Sequence, residues 1–104
     1  MIGLGYLEET ILLLVMIMKE EVYGFSVSEA YEAQMGKSIS ISAVHSVLSR
    51  LEKKGLITST MGGASATRGG RRKRIFTATA QGEAAIAEIR ASRQKLWNLL
   101  PSQS

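Results

Sequence analysis

The segment spanning residues 39–55, ISISAVHSVLSRLEKKG, constrains the fold more than any other part of the chain. Four of its apolar residues recur at i, i+3, i+4 and i+7, namely Val44, Val47, Leu48 and Leu51. This spacing predicts an amphipathic helix that buries one face. Ser40 is the predicted N-cap inside a hydrophobic staple formed by Ile39 and Val44, and Gly55 is the predicted C-terminal stop.

Two more helices are predicted before this segment. Residues 6–21 form the first, and because it is apolar around nearly its whole circumference, we expect it to be buried on most sides. Residues 22–25 form the connector that follows, with Gly24 as the predicted helix stop, and Ser26 and Glu29 have the spacing of a capping box. The second helix is then predicted over residues 27–35.

The part after Gly55 predicts a hairpin and a last helix. Residues 56–61 are rich in β-branched side chains and residues 73–78 form the second predicted strand, with a glycine- and serine-rich loop between them. Thr79 is the predicted N-cap of a final helix over residues 80–100. The order predicts a mainly α fold with a small β-hairpin, a winged helix-turn-helix.

We divide the chain on this basis into two parts. Residues 1–79 are predicted to be the winged helix-turn-helix DNA-binding domain. Residues 80–104 are predicted to be a C-terminal dimerisation helix with a short tail. The chain has 104 residues, so one small domain with such an extension is the expected organisation.

Positive charge is concentrated in the middle of the sequence. Residues 37–74 contain nine basic residues and one acid, whereas the rest of the chain contains four basic residues and eight acids. A basic region between acidic flanks indicates a localised positive face, and nucleic acid is the usual partner of such a face. Double-stranded DNA is therefore the predicted partner.

The residue inventory argues against several other functions. The chain has no cysteine and no aspartate, and its one histidine is His45, so metal clusters and catalytic triads lack their parts. We expect neither an enzyme nor a cofactor. The apolar run at residues 11–18 has eight residues, whereas a membrane span needs about 20. We therefore expect no membrane contact and a cytoplasmic, nucleoid-associated protein.

The basic run in TRGGRRKRIF, residues 67–76, admits several interpretations. It is a disordered tag, a nuclear-targeting signal, a solvated loop without a partner, or the descending side of a wing. Continuation into strand-like residues favours the wing, whose basic side chains would contact the DNA backbone or minor groove; these are Arg71, Arg72, Lys73 and Arg74. Because side chains alternate along a strand, about two of the four are expected at the DNA.

Three segments together resemble the PadR family of bacterial transcriptional regulators. They are LGYLE with IL before YG near the N-terminus, LSRLEKKGLI at residues 48–57, and GGRRKRIFT at residues 69–77. The resemblance covers almost the whole chain and includes Thr79 and Gly82. It implies a homodimeric, repressor-type regulator of the short subgroup with a single helix after the wing.

The resemblance also implies a dimer interface between the C-terminal helix and the first helix of the partner. On this basis the dimer residues are Leu7, Ile11, Leu14, Ile86, Ile89, Arg93, Leu96, Trp97 and Leu100. Three departures from the family stand out: His45 replaces a usual tyrosine, Ile75 and Phe76 stand where the family has two aromatic residues, and Arg93 stands where multidrug-binding members carry a tryptophan. Trp97, one turn later, either lines a pocket for a small-molecule effector or simply packs, and its amphipathic helix favours packing.

The exposed face of the third predicted helix would enter the major groove. Its predicted DNA-contacting residues are Ser40, Ser42, Ala43, His45, Ser46, Ser49, Arg50 and Lys53. Arg50 is open to three roles: it reads a base, contacts a phosphate, or pairs with Glu52 or Glu29. The competing function is a winged-helix module that binds protein, but such a module would expose large apolar side chains on this helix.

Overall fold

The computed structural model describes residues 3–62 and 73–101. Three helices are followed by a hairpin and a fourth helix, as the sequence predicts. The elements are α1 (Tyr6–Ile17), α2 (Gly24–Met35), α3 (Ile41–Lys53), β1 (Ile57–Gly62), β2 (Lys73–Ala78) and α4 (Ala80–Asn98).

The two strands form an antiparallel hairpin that closes one side of the helical domain. Its register runs from the pair Ile57 and Ala78 to the pair Gly62 and Lys73. The connector between α1 and α2 adds a single strand-like bond, because the Phe76 N–H donates to the Val22 carbonyl at 2.8 Å. β2 is therefore hydrogen-bonded to β1 on one edge and to the connector on the other.

The hydrophobic core lies between α1, α2 and α3 and is closed by the hairpin. It takes buried side chains from every element: Ile11, Leu12, Val15, Val22, Val27, Val44, Val47, Leu48, Leu51, Leu56, Ile57, Phe76 and Ala85. Removing this apolar surface from water is the main force that holds the small domain together.

The local signals of α3 are confirmed. The Ser40 hydroxyl accepts a hydrogen bond from the Ala43 N–H at 3.0 Å. Gly55 has φ 78°, a left-handed conformation that favours glycine at a helix end. The four apolar residues of the predicted stripe are all buried. The polar residues of α3 therefore face outward, away from the core.

The boundaries around the connector differ from the prediction. α1 ends at Ile17, and α2 begins at Gly24, for which the sequence pattern predicts a stop. The predicted capping box of Ser26 and Glu29 is also wrong, because Ser26 lies inside the first turn and its hydroxyl accepts from the Tyr23 N–H at 2.9 Å. Gly24 is buried beneath the His45 ring, and that contact explains the glycine.

The start of α4 is fixed to the end of α3. The Thr79 hydroxyl accepts from the Gly82 N–H at 3.0 Å and donates to the Gly55 carbonyl at 2.7 Å, which confirms Thr79 as the N-cap. Gly82 packs directly on the Leu56 carbonyl, and a Cβ at this position would collide with that oxygen. Only the first turns of α4 reach the core, and residues 90–101 are all exposed.

Two predicted dimer residues are placed differently by the structure. Ile11 has an exposed fraction of 0% and Leu14 of 4%, so both belong to the core of their own protomer. Their prediction as partner contacts is corrected, because a fully buried side chain offers no surface to a second chain. Leu7 is half-buried and packs against the same core.

Candidate nucleic-acid interface

The outer face of α3 is a polar and basic surface without a carboxylate. Its exposed side chains are Ser42, His45, Ser46, Ser49, Arg50 and Lys53. Ala43 is half-buried at the edge of this face, and the hydroxyl of the exposed Ser40 is engaged as the helix cap. The structure thus brings the predicted residues of α3 to one side of one helix, where short side chains permit a close approach.

His45 lies at the boundary between this face and α2. Its ring packs so closely on the Gly24 backbone that a Cβ added at Gly24 would lie 2.6 Å from Cε1. The contact joins the first turn of α2 to the middle of α3. It therefore brings α2 and α3 of the helix-turn-helix unit into direct contact at this point.

Arg50 lies on the opposite flank and pairs with a residue that the sequence did not suggest. Its Nε donates to Glu8 Oε2 at 3.1 Å, whereas the predicted alternatives were Glu52 and Glu29. The Nζ of Lys54 donates to the same carboxylate, 3.0 Å from Oε1 and 3.1 Å from Oε2. The two flanks of α3 are therefore held differently, one by packing and one by ion pairs.

Glu8 is the one buried charged residue among those the structure describes. Burial alone would raise the pKa of its carboxyl, but hydrogen bonds from Lys54, the Gly5 N–H and Arg50 outweigh that effect and hold the pKa below its ordinary value. Glu8 therefore stays ionised and ties the first turn of α1 to the last turn of α3. α1 carries two neighbouring acids, Glu8 and Glu9, and the sequence alone does not show which of them is buried.

The basic residues at the described end of the wing also have intramolecular partners. Lys73 Nζ lies 3.7 Å from Glu21 Oε1 and 4.3 Å from the centroid of the Tyr23 ring. Arg74 lies on the other face of the strand, where its Nη1 donates to the Ser59 hydroxyl at 3.0 Å. The predicted contacts Arg71 and Arg72 lie outside the described residues.

A short polar chain links the wing to α3. The Ser59 hydroxyl donates to Glu52 Oε2 at 2.8 Å and accepts from Arg74. Glu52 therefore points towards the hairpin and away from the exposed face of α3. This arrangement explains how the helix carries a carboxylate while its outer face carries none.

Other classes of site receive no support from the described residues. Within residues 3–62 and 73–101, no group of three or more acidic or histidine side chains could hold a metal ion. No helix in the same ranges has both the length and the hydropathy of a membrane span. Trp97 has an exposed fraction of 67%. It lines neither of two grooves beside the middle of α4, one shared with Leu4 and the other with Met16.

The family model of the "Transcriptional regulator PadR-like family" matches residues 12–88. The chain belongs to this family. The match confirms the resemblance given by the sequence motifs. It also agrees with the prediction that the protein is not an enzyme, because the family is one of transcriptional regulators. Comparison with curated protein sequences gives no significant match.

Solved structures of PadR-like proteins share the fold. A PadR-like regulator from Bacillus cereus is 27% identical with a TM-score of 0.67, and the match covers 93% of each chain. A PadR family regulator from Clostridium difficile is 21% identical with a TM-score of 0.67, covering 90% of this chain and 92% of that one. These matches confirm the predicted winged helix-turn-helix fold.

A third structure shows a relative on its ligand. Bacillus subtilis PadR was solved in complex with operator DNA, and it is 17% identical to this chain with a TM-score of 0.64. The match covers 98% of this chain and 51% of the Bacillus subtilis protein. The present chain therefore spans about half the length of that protein.

Proposed function

We propose that this chain is a sequence-specific, double-stranded DNA-binding regulator that places α3 in the major groove. The outer face of α3 carries this proposal, because it combines hydroxyls, an imidazole and two cations with no acid. Side chains of these types donate to base edges and phosphates, and the carboxylate of Glu52 is turned away. The operator-bound relative from Bacillus subtilis supports the same class of partner.

The wing supplies a second contact in this proposal. Residues 71–74 form a cluster of four basic residues, of which Lys73 and Arg74 are exposed in the structure. We expect these cations to neutralise phosphates and position the protein without choosing the sequence. Lys73 and Arg74 would either leave their present partners for phosphate oxygens or bind both at once. The residues of α3 would discriminate between DNA sequences.

The proposed functional unit is a homodimer joined through α4. Large apolar side chains stand exposed near the end of this helix, with exposed fractions of 59% for Leu96, 72% for Leu99 and 54% for Leu100. Ile86, Ile89 and Arg93 lie on the same helix and belong to the proposed interface, together with the half-buried Leu7. Several large exposed apolar side chains near one helix end are typical of a protein contact. Sedimentation that shows a stable folded monomer at micromolar concentration would contradict the dimer.

The proposed activity is repression in the cytoplasm of a bacterium. A dimer bound at an operator near its own or a neighbouring promoter would block transcription from it. Trp97 lines neither of the two grooves beside the middle of α4, so we propose packing at the dimer interface as the role of this side chain.

The first experiment selects bound genomic fragments, identifies the operator and measures its affinity against salt. We expect affinity to fall steeply with salt, because released counterions contribute to binding. Ser46→Glu places a carboxylate on the outer face of α3 and should weaken operator binding by roughly tenfold to a hundredfold. Ala84→Glu adds the same charge at an exposed position of α4 away from the proposed dimer residues and is the control for the added charge.

The outcomes separate the two candidate functions. If no genomic fragment is enriched and duplex binding is equally weak for all sequences, the alternative of a winged-helix protein-interaction module gains support. If Ser46→Glu binds the operator as tightly as Ala84→Glu, α3 is not the recognition helix.

A further inference from the structure

The Glu8 carboxylate occupies an unusual position for an acid in a protein of this kind. It lies in the first turns of α1, yet it contacts two cations at the end of α3, a helix more than forty residues later in sequence. Its side chain is 9% exposed and accepts hydrogen bonds from Arg50, Lys54 and the Gly5 N–H. The helix proposed to enter DNA is thus anchored at its C-terminal end by one negative charge.

The way in which Arg50 uses its guanidinium is the decisive detail. Only Nε bonds to Glu8, at 3.1 Å, and the described residues provide no hydrogen bond to Nη1 or Nη2. The side chain is 53% exposed, so this outer edge faces solvent beside the proposed recognition surface. An arginine has five N–H donors in a planar fork, so four remain for another acceptor pair after Nε is engaged.

Lys54 has a different part in the cluster. Its ammonium bonds to both oxygens of the Glu8 carboxylate, and its side chain is 35% exposed. One acid therefore offsets two cations, and the cluster presents a net single positive charge at the edge of the interface. Because attraction to the phosphates does not depend on the base sequence, an acid at this place weakens the attraction to every DNA sequence by the same amount.

We propose that Glu8 is a positioning residue for DNA recognition: it holds Nε of Arg50 so that the Nη edge meets an acceptor pair of the operator. This inference rests on the proposed function. The acceptor pair is the N7 and O6 edge of a guanine or two oxygens of one phosphate, both of which suit the fork. Glu8 thereby strengthens the operator complex while it lowers attraction to unrelated DNA.

The test compares the selected operator duplex with a scrambled duplex of the same length and composition at one salt concentration. Glu8→Gln keeps the side-chain shape and an acceptor for the Gly5 N–H but removes the charge. We expect it to weaken binding to the operator about fivefold or more, and to leave binding to the scrambled duplex unchanged or make it tighter. The ratio of the operator affinity to the scrambled-duplex affinity should therefore fall about tenfold. Glu9→Gln removes the same charge from the neighbouring residue and should leave the ratio unchanged.

Arg50→Lys supplies an independent readout that retains both the charge and the pairing with Glu8. A single ammonium cannot serve the carboxylate and a planar acceptor pair in the same geometry, so this variant should lose operator affinity like Glu8→Gln. The double variant should lose little more than either single one, because both break one unit. Thermal unfolding of each variant verifies that the compared proteins are folded.

Each outcome decides between distinct conclusions. If Glu8→Gln tightens both duplexes by the same factor, Glu8 acts only as a charge and the positioning role is overturned. If Arg50→Lys binds the operator like the wild type, the fork has no role and the inference also fails. If the wild type itself does not discriminate between the duplexes, the proposed function fails first. Replacing operator guanines by 7-deazaguanine distinguishes the acceptors, since only a base contact needs N7.

Discussion

α3 and α4 treat their apolar residues in opposite ways. In α3 the apolar stripe is buried, with exposed fractions of 0% for Val44 and Leu51 and 1% for Val47. In α4 only Gly82 and Ala85 are buried, whereas Leu96 and Trp97 stand 59% and 67% exposed. One helix is completed by its own chain, and the other is left with an apolar surface.

The difference indicates what each helix can bind. Because the apolar side of α3 is buried in the core, its exposed side carries hydroxyls and cations. These groups suit a charged and hydrated partner such as DNA. The end of α4 presents apolar surface, and burial of such surface stabilises by about 25 cal/mol per Å². A second copy of the chain satisfies that surface in the proposed dimer.

The largest effect should come from the same substitution made in both helices. Leu51→Ala empties a site in the core and should lower the free energy of unfolding by about 2–5 kcal/mol. The loss should be equal at every protein concentration, because the contacts lie within one protomer. Leu96→Ala should act through the dimer, so its effect on unfolding should depend on concentration. Urea denaturation at two concentrations measures both.

A contrary result would break the comparison between the helices. If Leu96→Ala lowers stability equally at high and low concentration, then Leu96 packs within its own protomer. If Leu51→Ala is the concentration-dependent variant, the core of the protomer forms only in the assembly.

The junction between the helices gives the second prediction. Glycine to alanine inside a helix ordinarily stabilises by about 0.5–1 kcal/mol. Gly82→Ala should instead destabilise by about 1–3 kcal/mol, because the new Cβ collides with the Leu56 carbonyl oxygen. Ser92→Ala, on the exposed part of α4, is the control and should cost nothing. Thermal unfolding would expose an error in the packing if Gly82→Ala proved as stable as the wild type.

The smallest expected effect is a dependence of folding stability on pH, which arises where the Glu8 ion pairs hold α3. Glu8 holds the end of α3. Burial opposes its ionisation, but Lys54, the Gly5 N–H and Arg50 together outweigh burial and keep its pKa below the ordinary value of 4.5. A depressed pKa means that Glu8 contributes stability above its unfolded pKa and loses it as pH falls through the folded pKa. Stability of the wild type should therefore decline more steeply below about pH 4.5 than that of Glu8→Gln. Denaturant unfolding from pH 7 to pH 3 checks this. If the free energy of unfolding falls with pH equally in the wild type and in Glu8→Gln, Glu8 does not cause the acid sensitivity.

Local signals were sufficient for α3, the hairpin and the start of α4. The Ser40 cap, the apolar spacing and Gly55 lie within one segment, so the sequence contains all that is needed to predict the helix. The cap at Thr79 and the strand at residues 73–78 are equally local, and both are confirmed. The family motifs then supplied the class of protein.

The errors concern contacts between distant parts of the chain. Glycine is common at helix ends, which is why Gly24 is predicted as a stop, but its reason is the His45 ring, which only the folded structure brings near. The partner of Arg50 is Glu8, 42 positions away, so spacing could not reveal it. The family resemblance implies a dimer contact for Ile11, whereas other elements of the same protomer bury it.

The bonds around Thr79 have a mechanical consequence. The hydroxyl of Thr79 binds the Gly55 carbonyl, its N–H donates to the Leu56 carbonyl at 3.0 Å, and Gly82 rests on that same carbonyl. The first turn of α4 is therefore held against the residues that directly follow α3 by two hydrogen bonds and one close contact. A helix of 19 residues is about 28 Å long, so we expect a tilt at its far end to act through this junction on the helix proposed to read DNA. The contacts at Gly55 and Gly82 would connect the dimer interface to the DNA-binding surface in the proposed function.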